Sequence, residues 1–386
     1  MTQMPFAHTS EKNVEPSKVF FADLRARGPR ENKQAKLAAL FRKADFAERI
    51  PKEALTAIKI HAGERGNDTF INPVLVRKVV DLVKEAGGNP FLTDSNTLYK
   101  GSRHNAVDHM VTAIEHGFGY ATAGAPFIVA DGLRGDCYEE VEIGKKHFSS
   151  VKIASAIASA QSMMVLSHFK GHELAGFGGA IKNMAMGCSP SQGKCDQHAS
   201  RFMVREEVCT ACGFCMASCP EDAIAFVSDS GRKAAQIDKE RCVGCGECLT
   251  VCKTKAVWIN WKTEVKPFNE RMAEYALGAV IGKEKNTGYV NFLLNITPDC
   301  DCVPWSDAPL VPDIGILAST DPVALDSACL DLVTQAVGHS HSLLGENCAP
   351  GKDKFTGVWQ HTCGEVQLDY AEAIGLGIRR YTLITV

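Results

Sequence analysis

Cys209-Thr210-Ala211-Cys212-Gly213-Phe214-Cys215-Met216-Ala217-Ser218-Cys219-Pro220 is answered further along by Cys242-Val243-Gly244-Cys245-Gly246-Glu247-Cys248-Leu249-Thr250-Val251-Cys252-Lys253. Each stretch is a Cys-x-x-Cys-x-x-Cys-x-x-x-Cys run. Two-residue gaps let three thiolates wrap one cubane along a single turn-rich loop, and in this spacing class the fourth cysteine ligates the other cluster. The expected sets are therefore Cys209, Cys212, Cys215 and Cys252 for one [4Fe–4S] cluster, and Cys242, Cys245, Cys248 and Cys219 for a second. Ala211, Gly213, Gly244 and Gly246 supply room and backbone N–H groups near the sulfurs. Tetrahedral zinc sites prefer paired Cys-x-x-Cys knuckles instead. Lys253 stands where the motif expects a second proline. An apolar run follows each copy, Ala223 to Val227 and Ala256 to Ile259, so the unit reads as a pseudo-two-fold module.

Outward from the cysteine runs, the chain alternates strand and helix, which implies an α/β layer fold. Val19 to Ala22, Ala57 to Ile60, Phe91 to Thr93, Phe127 to Ala130, Val141 to Ile143 and Met163 to Leu166 read as strands. Lys33 to Arg42, Ala106 to His116 and Ile153 to Ala160 read as helices. Asn72-Pro73 opens another, with Val76, Val79, Val80 and Val83 at helical spacing and Gly87-Gly88 as its stop. From Gly171 to Ser200 the composition shifts to Gly, Ser and Lys, with a helix expected to start at Ala180 and a Gly/Ser/Lys loop between Cys188 and Cys195. Beyond the runs, Asp313 to Ala318 reads as a buried strand, Asp321-Pro322 as the start of a helix, and Tyr370 to Ile374 and Tyr381 to Val386 as a last helix and strand. The division is 1–200 host domain, first part; 201–262 inserted unit; 263–386 host domain, second part. Gly176 to Gly179 lacks the Gly-x-Gly-x-x-Gly fingerprint, so a dinucleotide fold is not supported.

The 386 residues hold 16 cysteines, with 45% hydrophobic and 23% charged residues and a net charge of −3. That balance gives no reason to expect nucleic acid or an anionic membrane as partner. Met1 to Ser17 is polar and no apolar stretch is long enough to span a bilayer, so a cytoplasmic protein is expected and a disulfide framework is not.

Residues 200–262 resemble the bacterial two-cluster ferredoxins. The remainder resembles the uncharacterised family catalogued as domain of unknown function number 362, whose members often carry such an insert. That resemblance rests on Asp94-Ser95-Asn96-Thr97-Leu98-Tyr99, Arg103-His104-Asn105-Ala106, His168-Phe169-Lys170-Gly171-His172, Gly176-Phe177-Gly178-Gly179-Ala180-Ile181-Lys182-Asn183 and Met186-Gly187-Cys188. It rests also on Asp299-Cys300-Asp301-Cys302 and on Asp313 to Pro322. It implies an α/β host domain, a layered sheet with helices, carrying an inserted α+β two-cluster ferredoxin-like domain. It implies no substrate. A shorter stretch, His172-x-x-Ala175-Gly176-Phe177-Gly178-Gly179-x-x-Lys182, is similar to the His/Gly-Gly/Lys segment that serves the cofactor in nickel-pincer lactate racemases. No other part of that motif set is clear, so only a distantly shared fold is implied.

Several groups outside the runs have chemistry to offer. Gly176, Gly178, Gly179, Lys182 and Asn183 are expected to form a ligand pocket: the glycines let backbone approach an anion, and a helix N-terminus and Lys182 add positive charge. The alternative is a tight glycine turn with Lys182 in solvent. His168 and His172 join Lys182 as candidate catalytic residues because histidine titrates near neutrality, although one buried and one solvent-facing histidine is the plainer reading. Asp94 and His104 are a candidate acid/base pair, or Asp94 and Ser95 simply cap a turn. Cys188 and Cys195 flank a loop near the insert and are either redox-active or small buried hydrophobes. Cys300-x-Cys302 reads as a strand with both thiols on one face, a candidate redox or metal-binding pair whose flanking Asp299 and Asp301 would raise the thiol pKa. His339, His341, Cys348, His361 and Cys363 are a weaker metal candidate.

Three functional classes follow. The first is an iron–sulfur oxidoreductase or electron-transfer protein, passing electrons between its clusters and a small-molecule substrate in the host. The second is a pure electron carrier docking to a redox partner protein, and the third a non-redox binding or sensing protein with structural clusters.

Overall fold

Every residue of the strand Ser162–His168 is buried, and its side chains alternate between two cores: Met163 and Val165 join one apolar cluster, Met164 and Leu166 another. A strand whose successive side chains feed two cores lies inside a sheet covered on both faces. The computed structural model describes residues 15–199, 201–219, 221–229, 231–239, 241, 242, 244, 246–260 and 263–386. Expectations that fall on Met1 to Val14, Pro220, Cys245, Trp261 or Lys262 lie outside the described residues.

The sheet has eight strands: β1 (Ser17–Asp23), β2 (Leu55–Lys59), β3 (Asn89–Asp94), β4 (Phe127–Val129), β5 (Ser162–His168), β6 (Thr287–Leu293), β7 (Gly315–Ser319) and β8 (Tyr381–Thr385). Their order is β8-β1-β7-β6-β5-β2-β3-β4. β6, β5, β2, β3 and β4 run parallel to one another, β7 is antiparallel to both β6 and β1, and β8 is parallel to β1. The chain builds outward from β2 to β3 and β4, then restarts at β5 on the other side of β2. The order thus reverses between β2 and β5, and open α/β sheets form their ligand crevice beyond the carboxyl ends of strands at such a reversal.

Helices α1 (Lys33–Lys43) and α2 (Pro73–Glu85) cover one face through Leu37, Leu40, Val76, Val79, Val80 and Val83. The Asn72 side chain accepts from Val74 N, which caps α2 where Pro73 has no N–H to lose. The other face is covered by α3 (Ala180–Gly187), α5 (Val265–Val280), α6 (Pro322–Gln335) and α7 (Glu365–Ala373), while α4 (Ser191–His198) packs beside α5. Each fully buried Leu, Ile, Val or Phe in these layers contributes about 1.5–3 kcal/mol. Three expectations need correction. Residues 153–160 are not one helix: Ser150–Ala154 is a strand and only Ser155–Ala158 is helical. The stretch between Cys188 and Cys195 is not all loop: α4 begins at Ser191 and runs through Cys195. Cys300-Asp301-Cys302 lies in a turn rather than a strand.

Between α4 and α5 lies a small unit with its own apolar cluster, which includes Phe202, Ile224, Ala235, Val257 and Ile259. Arg201–Val204 pairs antiparallel with Val257–Asn260, and Ile224–Asp229 with Arg232–Ile237. The internal repeat is visible in the backbone. Ala211 and Gly213 in the first run have φ of 50° and 82°; Gly244 and Gly246, at the matching positions of the second, have 74° and 83°. A short helix follows in each copy, Phe214–Ala217 and Glu247–Val251. Lys253, in the place of the second proline, lies 5.0 Å from the centroid of the Phe214 ring and so ties the second run to the first.

Candidate functional site

A cavity of about 600 Å³ opens beyond the carboxyl ends of β2, β3, β5 and β6. His61 follows β2, Asp94 ends β3, His168 ends β5, and the loop after β6 brings in Cys300 and Cys302. The glycine-rich segment supplies Gly178, Gly179, Lys182 and Asn183 to the same walls, with His172 beside them. Gly176 does not line it; that residue packs where an added Cβ would lie 2.8 Å from Gly364 N.

Beneath the cavity is a buried charge network. Lys59 spends all three protons, on Asp94 Oδ1 at 3.0 Å, Asn183 Oδ1 at 2.7 Å and Ile60 O at 2.6 Å. The Arg103 guanidinium is 3.3 Å from both Asp94 Oδ2 and Glu64 Oε2. Burial alone would raise the Asp94 carboxyl, but Lys59 and its cationic neighbours hold it far below the usual carboxylate range. Stripping a partner from such a pair leaves an uncompensated buried charge at a cost of about 3–5 kcal/mol. The network therefore holds β2, β3 and α3 in register beneath the cavity. Asn183 is consumed by it: its amide also donates to Leu166 O at 2.9 Å. Asp94 and His104 do not pair. His104 instead places Nδ1 3.2 Å from Thr97 O and Nε2 2.7 Å from Thr250 Oγ1.

The expected anion cradle at the start of α3 is already filled. Ala180 N and Ile181 N donate to the Asp326 carboxylate at 2.8 and 2.9 Å, and Asn291 Nδ2 donates to it at 2.6 Å. A Cβ on Gly179 would sit 2.3 Å from Asp326 Oδ1, so this glycine makes room for that carboxylate rather than for a ligand. Burial pushes the Asp326 carboxyl up to about 6 despite those donors.

Lys182 remains. It is half-buried on the cavity wall, and among the described residues its ammonium has no hydrogen bond or ion pair. Burial, then the nearby Lys170 charge, brings its pKa down to about 7. His172 Nδ1 accepts from Leu174 N and Ala175 N at 3.1 and 3.0 Å, which leaves Nε2 as the protonated nitrogen of a neutral ring. Burial first, then the Lys182 charge, holds it well below the ordinary histidine value. His168 is also buried, with both nitrogens committed: Nδ1 to Asp301 Oδ1 at 2.8 Å and Nε2 to Asn295 O at 2.9 Å. Of the three candidate catalytic residues, His168 is thus a fixed structural donor, while Lys182 and His172 keep free chemistry on the cavity.

Tyr99, Arg103, Lys170, Lys194, His198 and Trp359 line the cavity as well and were not singled out as site residues. Tyr99, Arg103 and Lys170 fall within the motifs quoted for the family resemblance, a usable signal. Lys194 and His198 lie on α4, which has no apolar stripe to mark it. Cys188 is buried, with its thiol pushed up to about 11 by that burial, which fits a core residue. Cys195 is also buried and donates to Gly244 O at 3.3 Å, against the second cysteine run. His361 reaches the cavity; Cys348 and Cys363 are exposed and do not line it.

Two smaller cavities lie within the inserted unit. One is lined by Cys209, Cys212, Cys215 and Cys252, the other by Cys219, Cys242 and Cys248. Backbone N–H groups face three of these sulfurs: Ala235 N to Cys209 at 3.5 Å, Ala223 N to Cys219 at 3.3 Å and Val257 N to Cys252 at 3.4 Å. Leu98 lines the large cavity and also belongs to the apolar cluster around the cysteines. With the His104–Thr250 hydrogen bond, it joins cavity to cysteine loops directly.

The fold and site define a mixed α/β protein with a crevice at a sheet reversal. The chain belongs to the family described as Domain of unknown function (DUF362), which matches residues 56–331. No curated protein matches it. It is similar to a solved structure titled lactate racemase apoprotein, from Thermoanaerobacterium thermosaccharolyticum, at 11% identity and a TM-score of 0.40. That likeness covers 83% of this chain and 58% of the other, so the chain spans less than two thirds of that protein. Among the described residues no helix is long and apolar enough to cross a membrane.

Proposed function

We propose that the chain is an iron–sulfur oxidoreductase with two [4Fe–4S] clusters in residues 201–262, organised as in a two-cluster ferredoxin, exchanging electrons with a small anion held in the host cavity. One observation carries the reading: each cysteine-lined cavity gathers thiols of one run around the last cysteine of the other. That is the crossed pattern the spacing demands. Cys209, Cys212, Cys215 and Cys252 would hold one cluster. Cys219, Cys242 and Cys248 would hold the other together with Cys245, which lies outside the described residues. The left-handed backbone at Ala211, Gly213, Gly244 and Gly246 and the N–H groups aimed at sulfur fit such clusters. When bound, the clusters supply one-electron transfer.

The host residues supply the rest. The Lys182 ammonium, without a hydrogen-bond partner among the described residues, draws an anion into the cavity, and the neutral His172 offers an N–H to it. Tyr99, fixed by Arg103 at 2.9 Å, and the Lys59–Asp94 pair beneath keep the walls rigid. Cytoplasmic localisation remains part of this proposal.

A specific observation favours the carrier reading as second. Phe214 and Val208, beside the first cysteine run, are 49% and 41% exposed, as an apolar docking contact for a redox partner would be. Both readings require the clusters. Anaerobically prepared protein should hold about eight irons and about eight labile sulfides per chain. About one zinc-like metal with no sulfide would overturn both.

A further inference from the structure

Cys300 and Cys302 are joined by a disulfide, with Cα atoms 5.3 Å apart, and both line the large cavity. We propose that this pair is a two-electron redox centre of the cavity, cycling between disulfide and dithiol. The step that it performs is balanced as follows. Reduction breaks the Sγ–Sγ bond, takes up two electrons and two protons, and leaves two thiols; oxidation returns both and restores the bond. The reductant is the pair of reduced [4Fe–4S] clusters proposed above, one electron from each, and the oxidant is a small disulfide in the cavity, which takes up the two electrons and two protons and leaves as two thiols. That the cavity receives electrons rests on the function proposed above.

Stability does not account for the bond. The bridged cysteines are only two residues apart, so the closed loop is minimal and the chain-entropy gain lies at the bottom of its range. Nor does the turn need the bond to hold its shape. Tyr99 Oη donates to Cys302 O at 2.7 Å, Glu64 N to Asp301 O at 2.8 Å and Val303 N to Cys300 O at 3.2 Å. Just upstream, Gly171 N donates to Thr297 O at 2.8 Å, and a Cβ on Gly171 would lie 2.3 Å from Pro298 O. These anchors keep two opened thiols side by side, ready to close again.

The electrostatics differ from those the flanking aspartates suggested. Asp301 spends its charge on His168 at 2.8 Å and Lys170 at 3.5 Å, and Asp299 accepts from Trp305 Nε1 at 3.2 Å. Lys182 lines the same cavity as the two cysteines.

The test uses the full-length protein equilibrated with dithiothreitol buffers over a range of ratios. Samples are quenched in acid, alkylated in denaturant with N-ethylmaleimide and read by peptide mass. The peptide holding Cys300 and Cys302 should pass from no label to two labels together, and return to none on reoxidation. Singly labelled peptide should stay minor throughout. In Cys302→Ser the Cys300 thiol should be labelled at every ratio. A peptide doubly labelled under all conditions, or never labelled below full denaturing reduction, would overturn the proposal. Iron measured on the same samples separates the two ideas. Cycling in protein that cannot hold iron keeps the disulfide couple and sinks the electron-transfer reading; a full iron complement with an inert disulfide does the reverse.

Discussion

Cys219→Ala should leave the chain with about four of its irons, and those that remain should sit with the first cysteine run. Cys219 belongs to that run in sequence, yet it lines the cavity of Cys242 and Cys248. Its sulfur accepts from Ala223 N at 3.3 Å, which fixes its direction toward that cavity. Removing it therefore strips a ligand from the second set. The set of Cys209, Cys212, Cys215 and Cys252 keeps all four thiols. Cys252→Ala should give the mirror result. Electron paramagnetic resonance of each reduced variant, with iron and sulfide counted on the same sample, distinguishes the survivors. Loss of the first-run cluster in Cys219→Ala would mean that each run serves its own cluster, and the crossed arrangement would be wrong.

The second large effect concerns Lys182. Its ammonium lines the cavity without a protein counter-charge within bonding reach among the described residues, so an anion there gains a charge-assisted hydrogen bond of about 1.5–3 kcal/mol. Lys182→Met should weaken anion binding by roughly 10- to 100-fold. The pH dependence has a definite sign. A lysine whose pKa is lowered to about 7 is charged below that value and neutral above it. Affinity in the wild type should be greatest on the acid side and fall as pH rises through neutrality; a bound anion favours the charged form and moves the fall upward. Sulfate is a suitable probe because its own charge is constant over this range. Calorimetric titration at several pH values should show the decline in the wild type and a flat, weaker response in Lys182→Met. Equal affinities in the two proteins would place the anion site elsewhere.

Much of this arrangement was legible in the residues, for particular reasons. The valines of α2 repeat at helical spacing behind an Asn-Pro start, and Asp321-Pro322 announces α6 in the same way; its side chain accepts from Val323 N and Ala324 N. The two small cavities of the unit between α4 and α5 are lined by cysteines of both runs. What escaped is equally specific. Helix α4 has a polar sequence, yet it buries Lys194, Cys195 and Gln197, so no apolar stripe marks it. Lys194 is tied instead by hydrogen bonds to Ser95 Oγ and Ser189 O, both at 2.6 Å. The carboxylate that fills the start of α3 comes from Asp326, far along the chain, and no local pattern reveals it. Asp301 looked like a burden on its neighbouring thiols because its partners His168 and Lys170 are distant in sequence. Long-range pairing of charges separates the expected site from the observed one.

The central claim, that electrons pass between the clusters and a ligand in the host cavity, can be put to one measurement. The anaerobic protein is reduced, freed of excess reductant, and mixed in turn with each small anion that mass analysis finds in the extract of the denatured protein. The bleached iron–sulfur absorbance should recover in the wild type, and recover far more slowly in Lys182→Met. No recovery in the wild type, with prompt recovery on adding a second redox protein, would contradict the account and leave the chain a carrier.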